Sequence, residues 1–165
     1  MVVVVNGLNG LNGILLWRRN GQPYSGYNGH MHEQLQEQVR NWLKRADEDL
    51  RAAEHEFNGE FYARTISTAY YAMFYAATGA LASVSVERAK HSGVISAFGE
   101  HFIRTGKLPA ELGRMFHQAM DEREKSDYDA APLVDRSLAQ QHLDNARRFV
   151  DAIKRYLSGQ GVTIE

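Results

Sequence analysis

At 165 residues, with 44% hydrophobic and 24% charged side chains, the chain fits one globular domain and is short for two. Its formal net charge of −1 supplies no global basic field for nucleic acid, so only a local patch could serve that purpose. Cysteine is absent, which excludes disulfides and thiolate metal sites and suits a reducing cytoplasm, the expected location.

Residues 1–30 differ from everything after them. Val2–Val5 leads into Asn6-Gly7-Leu8, Asn9-Gly10-Leu11 and Asn12-Gly13-Ile14, and then into Leu15-Leu16-Trp17-Arg18-Arg19. Asn-Gly pairs favour positive φ and turns, interrupting helix and strand alike. A secretory signal carries its positive charge ahead of the apolar stretch, whereas Arg18 and Arg19 follow it. The three Asn-Gly breaks also deny a membrane span its roughly 20 continuous apolar residues. Three readings remain: a disordered leader, a pairing segment in which Val2–Val5 extends a sheet edge, or translated sequence ahead of the true start. Met31 at once opens a charged, helix-forming stretch. Residues 1–30 are therefore expected to be an appendage, with the domain over residues 31–160.

From Glu33 the apolar spacing is helical: Leu35, Val39, Trp42, Ala46, Leu50, Ala53 and Phe57 follow steps of three and four, and Asn58-Gly59 supplies a stop. Tyr62, Ile66, Ala69, Tyr70, Met73, Phe74, Ala77 and Leu81 form a wider stripe, which predicts a second helix buried on more than one side. After a polar link at Ser83–Glu87, His91, Ile95, Phe98 and Phe102 mark a third helix ended by Gly106. Pro109 opens a fourth, with Leu112, Met115, Phe116 and Ala119, and Asp129–Pro132 breaks the chain again. The fifth runs from about Asp135 to Leu157 with Gly159 as its cap. Short links between long amphipathic helices predict an all-α fold, an antiparallel bundle of four to five helices. The apolar surface left by so wide a second stripe predicts a homodimer.

A helical bundle hosts many functions, and the second helix carries the reading further. Arg64 followed by Tyr70-Tyr71-Ala72-Met73-Phe74 and small residues, then Lys90-His91-Ser92-Gly93-Val94-Ile95, then Phe98 and Phe102 before Gly106, and finally Arg123-Glu124-Lys125-Ser126-Asp127-Tyr128 stand in the order of one family's motifs. Over residues 33–158 the chain resembles the HEPN domains, in particular the UPF0332-like subgroup with Arg…Tyr-Tyr-Ala-x-Phe and Arg-x-x-x-Asp-Tyr motifs. The resemblance implies a helical bundle tied to RNA cleavage, nucleotide binding and toxin–antitoxin pairs. It implies a catalytic cluster of Arg123, Asp127 and Tyr128, and a nucleotide- or RNA-binding set of Arg64, Tyr71, Lys90 and His91, with no metal and no cofactor. It also implies a minimal nucleotidyltransferase as partner, which neutralises the HEPN protein by binding it or by adding AMP to a tyrosine near the arginine motif. Tyr128 is the matching residue.

The same residues have plainer readings. Tyr70, Tyr71, Phe74 and Tyr75 also suit core and dimer packing, Arg64 suits a buried, register-fixing pair, and Arg123 with Asp127 has the spacing of an intrahelical ion pair. HEPN ribonucleases share an arginine followed four to six residues later by a histidine. In that scheme the histidine moves the proton in 2′-hydroxyl attack and the arginine steadies the phosphorane. Arg123 is followed by Asp127 and Tyr128 and by no such histidine, a departure that bears on self-contained RNase activity. Arg136 and His142 meet the spacing literally, but about two such matches arise by chance among fourteen arginines and seven histidines. Six helical residues also leave those two side chains roughly 120° apart, so His142 reads as a half-buried packing histidine. There is no Glu-x-x-His pair for a di-iron site, no second ligand pair beside Glu87 and His91 for zinc, no Gly-rich phosphate loop and no Gly-x-Ser-x-Gly elbow. Three functions follow. The chain is an RNA-directed, metal-independent endoribonuclease of a toxin–antitoxin module, a module that holds nucleotide or RNA without cutting it, or an interaction domain with no small ligand.

Overall fold

The computed structural model describes residues 2–6, 12–16, 25–128 and 134–164, with side chains described for 33–126 and 134–164. The N-terminal strands β1 (Val2–Asn6) and β2 (Asn12–Leu16) pair antiparallel, Val2 opposite Leu16 and Asn6 opposite Asn12. Val2–Val5, expected as one alternative to extend a sheet edge, pair within the leader itself, with Gly13–Leu16. The bundle follows as α1 (Ser25–Asn58), α2 (Tyr62–Ser83), α3 (His91–Phe98), a π-helical turn (Gly99–Ile103), α4 (Ala110–Tyr128) and α5 (Arg136–Gly159). From Ser25 onward the described fold is all-helical, as the apolar periodicity predicts.

Three boundaries differ from the sequence reading. Helix α1 begins at Ser25 rather than Glu33, absorbing Gly26 and Gly29. Each glycine costs about 1 kcal/mol relative to alanine, which a long helix tolerates because each added residue gains a hydrogen bond once the helix is nucleated. The third helix does not run on evenly to Gly106. It changes to π geometry over Gly99–Ile103 before the turn at Gly106, whose φ is +70°. Gly159 ends α5 inside the helix, and the left-handed glycine is Gly161, at φ +86°.

Helix α2 is the centre of the bundle. It packs against α1, α3, α4 and α5, and its buried face is built largely of Ala69, Ala72, Ala76, Ala77, Gly79 and Ala80. Small side chains let several neighbours come close at once. At Gly79 an added Cβ would lie 3.2 Å from Trp42 Cβ, so α1 and α2 meet there nearly backbone to backbone. Helix α1 runs antiparallel to α2 and to α5. Lys154 meets Asp47 at 2.6 Å and Arg147 meets Glu54 at 2.6 Å, contacts that fix register more than they stabilise. Phe98, Phe102, Phe116 and Phe149 fill the space between α3, the π turn, α4 and α5, with ring centroids 5.3–5.8 Å apart. Asp135 caps α5 by accepting from the Leu138 N–H at 2.8 Å. Among the described residues no helix is long and apolar enough to cross a membrane.

His142 is fully buried in α5, at 2% exposure, not half-buried. Burial holds its imidazole below the ordinary value, with Glu122 pulling the other way. The unfolded chain therefore binds this proton more readily than the folded one, so its contribution to stability is complete above about pH 6.5 and lost as pH falls. Exchanging His142→Leu should flatten the decline of Tm between pH 7 and 5. An unchanged decline, followed by circular dichroism, would show that this histidine does not drive acid sensitivity.

Candidate functional site

The middle of α2, the start of α3 and the second half of α4 form one corner, and rings organise it. Tyr70, Tyr71 and Phe74 follow one another on α2, and the i,i+4 spacing of Tyr70 and Phe74 sets both toward α3. His91 opens α3. Its imidazole lies parallel to Phe74 with centroids 4.4 Å apart and planes at 18°, and parallel to Tyr70 at 5.7 Å and 20°. Tyr71 meets it edge-on, at 5.7 Å and 83°. The Tyr70 hydroxyl oxygen and His91 Nδ1 are hydrogen-bonded at 2.7 Å. From α4, the Arg123 guanidinium carbon lies 5.7 Å from the Tyr71 ring centre and 5.9 Å from that of Tyr70.

The electrostatics follow from this packing. Burial pushes the Tyr70 hydroxyl well above the usual phenol range, opposed by Arg123 and reinforced by Tyr71 and Glu124. Burial, and then the Arg123 guanidinium, hold His91 below the ordinary imidazole value, while Glu124 raises it. At neutral pH the corner therefore holds a neutral phenol, a neutral imidazole and a guanidinium. No side chain caps the α3 N-terminus, where Lys90 precedes the first turn, so the positive end of that helix dipole lies beside His91.

The structure thus brings together Tyr71, His91 and Arg123 from three elements. Arg64, in the first turn of α2, is exposed rather than buried in a register-fixing pair, and Lys90 is exposed as well. Asp127 and Tyr128 lie in the last turn of α4, one turn beyond Arg123, and their side chains fall outside the described residues. Tyr70 and Phe74, read from the sequence as packing residues, are the groups that hold His91. Their signal was the i,i+4 spacing, which needs a partner on another helix to acquire meaning. The literal Arg-x₅-His pair does not form a site. Arg136 is exposed, with its guanidinium 4.9 Å from the Phe57 ring centre, and His142 is buried on another face of α5. No metal-holding cluster of His, Cys, Asp or Glu occurs among the described residues.

Fold and corner together define a helical-bundle protein in which α2, α3 and α4 gather tyrosine, histidine and arginine at one corner. Residues 39–156 match the family model described as HEPN domain. The chain is 32% identical over 120 residues to "Putative toxin MJ0142" of Methanocaldococcus jannaschii, covering 73% of this chain and 82% of that one. It is 29% identical over 119 residues to a UPF0332 protein of Thermotoga maritima, covering 72% of this chain and 90% of that one. The crystal structure of TT1696 from Thermus thermophilus has the same fold, with a TM-score of 0.61 at 20% identity over 72% of this chain and 98% of that one. The chain belongs to the HEPN domain family.

The opposed influences on His91 can be tested separately. In an NMR titration, Arg123→Gln should raise the His91 pKa and Glu124→Gln should lower it. Because burial is the larger cause, the Arg123 variant should still titrate below the ordinary imidazole value. Shifts of the same sign in both variants would place Arg123 or Glu124 out of reach of the ring.

Proposed function

We propose that this protein is a toxin-like HEPN module that acts on RNA by holding a phosphate between Arg123 and His91. The observation that carries this reading is that the motif arginine and a histidine from a different helix both lie against the half-buried ring of Tyr71. A guanidinium offers a planar fork to two phosphate oxygens, and a neutral imidazole offers one N–H more. Tyr71 would give an adjoining base a face or an edge to lie against. The names of the Methanocaldococcus relatives support a toxin role. In this reading the partner is a minimal nucleotidyltransferase, with Tyr128, one turn past Arg123, as the residue it would modify.

A second reading is metal-independent cleavage of the RNA so held. No histidine follows Arg123 at the family spacing in chain order, but His91 lies against the same two tyrosine rings as Arg123. A homodimer belongs to both readings, supported by the half-buried row of Trp42, Tyr75 and Tyr71 along α1 and α2.

Arg123→Lys keeps the charge and loses the fork, so it should weaken binding of a single-stranded oligoribonucleotide about tenfold or more, as expected for the loss of a charge-assisted hydrogen bond. Arg136→Lys should leave binding unchanged. Affinity measured by fluorescence anisotropy decides between phosphate holding and a bare ion pair, since an equal affinity for Arg123→Lys and wild type would exclude the site. Cleavage of total RNA in the presence of a chelator, abolished by Arg123→Lys and His91→Asn, would establish the second reading. Light scattering should show a dimer at micromolar concentration, and a stable monomer would contradict it.

A further inference from the structure

Tyr70 is fully buried, at 0% exposure, and among the described residues its hydroxyl has one hydrogen-bond partner, His91 Nδ1. A phenol is both donor and acceptor, and a neutral imidazole has one nitrogen of each kind, so two arrangements are open. In the first, Tyr70 donates to Nδ1 and the imidazole hydrogen sits on Nε2. In the second, Nδ1–H donates to the phenol oxygen, and the phenol hydrogen is left in the core without an acceptor among the described residues. Leaving a buried donor unmade is the expensive alternative, which favours the first arrangement by roughly tenfold or more. The ring cannot turn over to escape this choice, because it is packed parallel to Phe74 at 4.4 Å and edge-on to Tyr71 at 5.7 Å.

We infer that Tyr70 is a positioning residue that fixes His91 as the Nε2–H tautomer, making His91 a hydrogen-bond donor that lies, like Arg123, against the Tyr70 and Tyr71 rings and completes with it a two-donor site for a phosphate group. The ligand in this inference rests on the function proposed above, whereas the tautomer rests on the buried hydrogen bond alone. The assignment changes what the histidine does. With its hydrogen on Nε2 and its Nδ1 lone pair engaged by Tyr70, His91 has no free lone pair with which to take a proton from a ribose 2′-hydroxyl. It contributes hydrogen bonding to the phosphate, and any proton abstraction falls to another group or to water. A neutral donor also works where an imidazolium fails. Phosphate holding through Nε2–H stays level as pH rises from 7 to 9, whereas holding through an imidazolium falls as the proton leaves.

The test uses the full chain with ¹⁵N-labelled histidine and long-range ¹H–¹⁵N correlation spectra at pH 7.5. The expected wild-type spectrum has an unprotonated Nδ1 and a protonated Nε2 at His91. Tyr70→Phe keeps the ring and removes the hydroxyl. It should release the preference, so that both nitrogens move toward averaged shifts, and it should weaken binding of inorganic phosphate and of a short single-stranded oligoribonucleotide about 3- to 10-fold. Wild-type affinity should be level between pH 7 and 9. A protonated Nδ1 in the wild type, or an unaltered tautomer in folded Tyr70→Phe, would overturn the assignment of Tyr70. If that variant fails to fold, the wild-type spectrum alone decides the tautomer. Should His91 prove to be the Nε2–H form while neither phosphate nor oligoribonucleotide moves its resonances, the two-donor site is overturned and with it the proposed function, leaving Tyr70 as a positioning residue without that ligand.

Discussion

The burial of α2 by four neighbours is the constraint from which the rest of the structure follows. A helix covered from several sides cannot carry large side chains all round, and α2 answers with alanines and Gly79, placing its few large residues where a neighbour leaves room. Tyr70 is one of these. Its ring fits among Phe116, Phe74 and His91, but its hydroxyl is then withdrawn from water and must find a partner in the protein. His91 supplies it. Packing the central helix thus compels a polar contact, and that contact orients the histidine of the candidate site. The core and the site are one piece of architecture, so a change at Tyr70 acts on both.

The position of Arg123 follows from the same corner. A guanidinium beside two tyrosine rings gains from their negative faces and is more weakly hydrated than an ammonium, which makes arginine the suitable cation for a partly covered place. Burial first, and then its charge, hold the His91 imidazole below its ordinary value, and Glu124 opposes them. The corner therefore combines a permanent cation with a neutral ring, the groups on which the proposed phosphate site rests.

The Arg136–His142 pair shows how spacing can mislead. Four to six residues along a helix can place two side chains on one face or on different ones, and only the packing of that helix decides which face is covered. In α5 the apolar face takes in His142 with Ala139, Leu143, Ala146 and Phe149, while Arg136 lies exposed over the ring of Phe57. His91 and Arg123, which lie against the same two tyrosine rings, are more than thirty positions apart in the chain and carry no local signature.

The sequence by itself determined the helical class, the stops at Asn58-Gly59 and before Pro109, the unusual burial of α2 and the family motifs. All of these rest on local periodicity, backbone preference or residue order, which a linear reading contains. It also singled out Arg123, His91 and Tyr71, because their motifs are contiguous. Only the tertiary structure decided that these three converge while Arg64 and Lys90 stay at the surface. Only the tertiary structure paired Val2–Val5 with Gly13–Leu16, made His142 a core residue and turned Tyr70 from a packing aromatic into the partner of His91. The physical reason is the same in each case. A hydrogen bond between helices and a ring stack across a bundle depend on how far helices slide and rotate against one another, and that freedom is fixed by the summed packing of α1 to α5 rather than by any stretch of residues alone.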